Sequence, residues 1–416
     1  MIDKAIDNAI ANGVTYGHLD THHDLFTKLR KEDPVHWTEP DGYRPFWTIT
    51  RQPDVLSVER QNELFINAPR QRLVSMDFEK HLKEQMGGRT NLSASIGTMD
   101  GDKHKQYRQI TAAWFMPKPL KTLEERIHKL AHDAVDDMIS RGPELDFYRD
   151  IAVWFPLHVI MLILGLPDKD APYLQQLTSS YFSGSDPKSG DAELQAAGDV
   201  LTAVSKFTEY FDVVAADRRA NPKDDIASVI ANSTIDGRPL EHYEASAYYI
   251  ALAAAGHDTT SASIAGGVLA LIQNPDEWKK LQDNPEHIGT AVDEMIRWVS
   301  PIKHFFRTAT QDCELGGTAI RQGESVMLSY PSANRDEAIF GDPFSFRVDR
   351  QPNRHVGFGY GVHMCLGMML AKMEMKIFYQ VLLEKVARFE LNGEPAWVEA
   401  AFAGGLKRLP VRVHLK

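Results

Sequence analysis

The chain has 416 residues, a formal net charge of −11 and two cysteines, Cys313 and Cys365. The acidic balance argues against nucleic acid as a partner, and two cysteines make no disulfide framework. No apolar run reaches the roughly 20 residues that span a bilayer, and residues 1–12 lack the basic-then-apolar layout of a signal peptide, so a soluble, cytoplasmic protein is expected.

No internal repeat, low-complexity block or Gly/Ser linker divides the chain, and one domain over residues 1–416 is expected. Up to about Leu64, short helices mix with β-like pieces such as 46–50. Residues 67–100 are irregular and rich in Gly, Ser, Arg and Lys, which reads as a functional flap. From Lys103 to about Glu384 the pattern is mostly helical, with clear stretches at 123–138, 151–165, 194–218, 243–272 and 286–298. Strand-like pieces recur at 313–320, 325–330, 389–391 and 411–415. The expected class is mainly α with small β-sheets. Its β-rich parts lie at about 35–65, 313–330 and 388–416, and its helical parts at about 103–312 and 365–385.

Within the longest helical stretch, the small apolar run 251–256 is broken by His257, Asp258, Thr259 and Thr260. A helix faced with small residues lets another group approach its backbone. Two readings stand side by side. One is tight helix packing with both threonines bonded to carbonyls one turn earlier; the other is a polar break that does chemistry. Further on, Glu294 and Arg297 are three residues apart and share a helix face.

A glycine-rich loop, Phe358 to Gly367, then feeds an apolar run that reads as a buried helix with Cys365 at its start. A helix N-terminus offers unpaired N–H groups and partial positive charge, which favour a thiolate. A lone Cys thiolate is the proximal ligand that pushes electron density onto haem iron. Gly359, Gly361 and Gly367 lack Cβ atoms and so let the backbone approach a flat ring. A lone cysteine in apolar surroundings is ordinarily an inert small hydrophobe. The pattern Phe-x-x-Gly-x-His-x-Cys-x-Gly sets this one apart. Zinc is discounted, because no further ligands stand at suitable spacing.

That pattern resembles the haem-ligand signature of the cytochrome P450 superfamily, in its bacterial soluble class. The resemblance implies a triangular prism with haem b between the long central helix and the cysteine loop, and Cys365 as the metal ligand. Ala-Gly-x-Asp-Thr at 255–259 resembles the oxygen-activation motif, which implies Asp258 as proton relay, Thr259 as the hydroxyl beside O2, and Ala255 and Gly256 against the cofactor. His257 is expected to be structural. Glu294 and Arg297 resemble the pair that locks a later arginine, here Arg350, in a structural role. His104, Arg108, Arg307 and His355 match the partners of the haem propionates, and Phe358, Gly359 and Gly367 match the cofactor cradle.

Substrate contacts of the family map onto 73–97, 179–185, 251–255, 302–306 and 403–406. These segments carry Phe182, Leu252, Ile302, Phe305, Phe306 and Leu406, so a mostly apolar pocket is expected. Framework runs such as 255–260, 327–336 and 352–355 look especially like the α-terpineol-hydroxylating branch. The resemblance thus implies a monooxygenase acting on a small apolar molecule, a monoterpenoid such as terpineol or an alkyl-aromatic such as p-cymene. It would use O2 and two electrons from an iron–sulfur ferredoxin with its reductase, and act as a monomer. The alternatives are a haem-thiolate sensor or carrier without turnover, and a steroid or fatty-acid hydroxylase.

Overall fold

The computed structural model describes residues 4–85, 87–88, 95–183 and 191–416. Its backbone is dominated by helices, and its axis is the 32-residue helix His242–Gln273, about 48 Å long at 1.5 Å per residue. The helix starts cleanly because Glu241 and Glu244 form a reciprocal capping box. It ends at Asn274, with Pro275 opening the next helix. Its buried surface is all-round rather than one stripe, since helices Trp154–Leu164, Asp191–Ala220, Ile288–Val299 and Met368–Lys385 all pack on it.

The largest sheet has five strands in the order Val35–Thr38, Phe46–Ile49, Ser325–Ser329, His304–Ala309 and Phe65–Ile66. Only the pairing of 46–49 with 325–329 is parallel. A second sheet joins Val386–Leu391, Pro410–Leu415 and Glu144–Asp146. Two expectations need correction. Strand His304–Ala309 falls inside the stretch read as helical, because a pleated strand buried on both faces shows no clean alternation. Helix Met76–Gln85 falls inside the expected irregular flap; of that flap, residues 86 and 89–94 lie outside the described residues, as do 184 and 185 of the segment 179–185.

One buried ionic clamp fixes the approach to the cysteine loop. Glu294 and Arg297, on helix Ile288–Val299, meet in a two-pronged pair at 2.7 Å on both prongs. Arg350 donates to both oxygens of the same carboxylate at 3.1 Å, and Asn353 adds a bond at 3.1 Å. Arg297 spends its remaining donors on the carbonyls of Asn334, Pro343 and Ser345. The planar guanidinium fork suits this geometry where a lysine would not.

Candidate active site

The loop Phe358–Gly367 folds tightly before its helix begins at Met368. Gly361 has φ +68°, and a Cβ there would lie 2.4 Å from the carbonyl oxygen of Glu59. Its glycine therefore serves backbone approach to helix Gln52–Arg60, rather than approach to a flat ring. Cys365, expected at the start of the helix, stands in the loop three residues before its first residue, Met368. Its N–H donates to Phe358 O at 2.9 Å. Its side chain is exposed and lines an internal cavity. Burial pushes its thiol upward, against the amides of Gly367 and Met368 and the charge of Arg108. The expected helix-end stabilisation of a thiolate is present, but in the protein alone burial outweighs it.

The cavity measures about 320 Å³, inside the range of small-ligand sites. One wall is the long helix, which presents Leu252, Ala255, Gly256, Thr259, Thr260 and Ser263. This i, i+4 stagger is one helix face. Thr259 Oγ1 donates to Ala255 O at 2.8 Å, and Ser263 donates to Thr259 O at 2.8 Å. Gly256 lines the cavity, and a Cβ there would meet Ile160 Cδ1 at 3.0 Å.

Asp258 does not line the cavity. It stands 3.4 Å from the His257 ring, and burial pushes its carboxyl up, partly offset by His257. His257 is fully buried, with Nε2 on Val153 O at 2.7 Å and Nδ1 on Thr178 Oγ1 at 3.1 Å. It ties the long helix to its neighbours.

Two arginines and two histidines gather against the cavity. Arg108 donates to Met364 O at 2.6 Å. Arg307 stands 3.6 Å from Glu59, and the His104 and His363 rings lie 4.0 Å apart. Burial, then the neighbouring His104, Arg307 and Arg108, push His363 down to about 3; its Nε2 accepts from Asn67 at 2.6 Å. His104 Nε2 is buried without a partner.

The sequence reading missed two carboxyls. Glu59 lines the cavity, accepts from Tyr330 OH at 2.8 Å, and leaves Oε2 unpartnered. Burial raises it to about 7 despite Arg307. Glu374, on the cysteine helix, lines the cavity with Oε2 unpartnered, and burial pushes it well up. Neither carries a sequence signal, since each is one glutamate on an ordinary helix.

Several expected site residues stand elsewhere. His355 is not among the lining residues; its Nε2 is 3.5 Å from Asp293. Ile302 and Phe305 line the cavity, but Phe306 does not. Neighbouring strand residues face opposite ways, and Phe306 packs edge-on against Phe46 at 5.0 Å. Leu406 is in the main core, and Phe182 meets Tyr181; neither reaches the cavity. The apolar lining instead includes Ile96, Phe115 and Ile160.

A haem fits this donor set. A soft sulfur faces the cavity, Gly359 and Gly367 line it without side chains, Arg108 and Arg307 outnumber the one carboxyl among them, and His104 Nε2 is unpartnered, a set that suits two propionates.

Comparison with known proteins agrees with the geometry. The profile of the family "Cytochrome P450" matches residues 193–395. The chain is 40% identical to cytochrome P450-terp from a Pseudomonas species over 404 residues, 95% of this chain and 94% of that protein. It is 34% identical to linalool 8-monooxygenase of Pseudomonas putida, over 94% of this chain and 95% of that one. Its structure matches the crystal structure of CYP108D1 from Novosphingobium aromaticivorans with a TM-score of 0.93 at 40% identity, over the whole of both chains.

Proposed function

The chain belongs to the cytochrome P450 family and is a haem b monooxygenase, and from that premise we propose that it hydroxylates an unactivated C–H bond of a small, mostly hydrocarbon substrate. A monoterpenoid such as terpineol, or an alkyl-aromatic such as p-cymene, suits it best. The observation that carries this reading is the cavity lining. Beyond the ionisable cluster at the arginines and Glu374, the wall is Ile96, Phe115, Ile160, Leu252, Ile302 and Phe305 with a few hydroxyls and amides. Such a wall offers nothing to hold a charged group. The names of the two curated relatives point to the same substrate class.

Haem bound between the long helix and the loop supplies O–O cleavage and C–H hydroxylation. Cys365 Sγ would hold its iron, and Arg108, Arg307 and His104 would hold its propionates. Ala255 and Gly256 would pack on its face. Thr259 would release its bond to Ala255 O and hold a proton at Oγ1, facing the cavity. Asp258, whose carboxyl burial favours in the protonated form, would resupply that proton, at the cost of a side-chain turn from its place beside His257.

Electrons would come from an iron–sulfur ferredoxin and its reductase, meeting a cytoplasmic monomer. A groove beside helix Met368–Lys385, where Lys121, Lys372, Lys376 and Lys416 outnumber Glu124 and Glu384 beside the exposed Met369, suits an acidic donor, although Lys372 also pairs with Asp293 at 2.7 Å. Arg108 and Lys103 do not extend it, because Arg108 points into the cavity and Lys103 stands 3.5 Å from Glu244.

Titrating the ferric holoprotein with terpineol, p-cymene, testosterone and palmitate tests the substrate class. The small hydrocarbons are expected to move the Soret band to its high-spin position. A response confined to the steroid or the fatty acid would overturn the proposal.

A further inference from the structure

A second, small cavity shares no lining residue with the first. His22, Lys303, Arg335 and Trp298 line it. The first three are 2%, 6% and 3% exposed, so two formal cations are buried together. Among the described residues, no carboxylate lines the cavity. The acids within reach are committed elsewhere: Glu337 pairs with Arg30 at 3.0 Å, and Glu294 belongs to the clamp.

Compensation by the protein is incomplete. Lys303 Nζ donates to Val299 O at 3.2 Å and Ser300 O at 2.9 Å, which uses two of its three protons. Those carbonyls close helix Ile288–Val299, whose C-terminal end carries about half a negative charge. Arg335 donates to Trp298 O at 2.8 Å and lies 4.9 Å from the centre of the Trp298 ring, a weak attraction. Arg335 Nε and His22 Nε2 remain buried with no partner. Two unit charges thus face half a unit and a ring, and an unpaired buried charge is costly.

The cavity measures about 20 Å³, room for one water-sized or monatomic guest and too small for an oxyanion. A water needs acceptors for its own two protons. A monatomic anion needs none.

We propose that this cavity is a binding site for one small monatomic anion of the chloride class, held by Lys303 Nζ, Arg335 Nε and His22 Nε2. Burial and Arg335 push Lys303 down to about 7, and burial pushes Arg335 down to about 9, the mark of cations still lacking a counter-charge. The guest would stiffen a joint that matters to the active cavity. The Lys303 N–H donates to Phe402 O at 2.8 Å, and its carbonyl accepts from Tyr330 at 3.1 Å. Lys303 stands between Ile302 and Phe305, both cavity liners.

The test uses the holoprotein at fixed ionic strength in potassium bromide, potassium chloride or potassium gluconate. The halides are expected to raise the melting temperature over gluconate, by a step that grows with the logarithm of halide concentration above its Kd. The Lys303→Met variant is expected to lose that step. Equal melting in all three salts, or the same halide step in Lys303→Met, overturns the proposal. Should that variant fail to fold, wild-type crystals soaked in bromide decide: anomalous density between Lys303 and Arg335 supports the site, and an ordered water there, or bromide only at the surface, overturns it.

Discussion

The clamp and the cavity wall both bury charge, and they do it in opposite ways. At the clamp, Glu294 takes bonds from Arg297, Arg350 and Asn353, and Arg297 spends its other donors on backbone carbonyls. At the cavity wall, His104 Nε2, Glu59 Oε2 and Glu374 Oε2 are buried without partners. A network closed on itself serves as frame; one left open faces whatever the cavity takes up. The clamp rigidly positions Arg350 and the segment that leads into the cysteine loop. The wall keeps its polar atoms in store for a cofactor and a proton.

The largest effect separating the two comes from breaking the clamp. Arg297→Leu leaves Glu294 short of its main partner and is expected to cost about 3–5 kcal/mol, with haem content falling as the loop loses its anchor. Chemical denaturation of the variant checks this. A loss below about 1 kcal/mol would mean the clamp is no frame.

A smaller effect of opposite sign is expected at the wall. The Glu59 carboxyl is raised from the ordinary 4.5 to about 7, so the fold disfavours its ionised form. Stability therefore falls as pH rises from about 4.5 to about 7 and is flat beyond, by up to about 3 kcal/mol. Glu59→Gln removes that slope. Denaturation midpoints of wild type and variant at pH 5 and pH 8 should diverge, with the variant gaining at the higher pH. Parallel midpoints would place Glu59 among the satisfied groups.

The frame was legible in the sequence and much of the wall was not. Helix His242–Gln273 shows through its apolar length, and Cys365 through a pattern of five fixed positions at set spacing. Glu294, Arg297 and Arg350 were placed by resemblance, and the structure brings them together. Which side chains face the cavity depends on pleat and packing. Phe305 and Phe306 are chemically equal, yet only the first lines the cavity. Strand alternation separates them, and which of the two turns inward is set by pairing with Ser325–Ser329. Leu406 was lost to the core for the same kind of reason. Glu59 and Glu374 acquire meaning only from burial, which a local sequence pattern does not encode.

The central claim is that Cys365 holds a haem in this cavity, and one absorption spectrum tests it most directly. Fresh holoprotein, reduced under carbon monoxide, is expected to show the red-shifted Soret band that thiolate ligation imposes, and Cys365→Ser is expected to lose it. An unshifted band in the wild type, or a red-shifted band that survives in Cys365→Ser, would contradict the account.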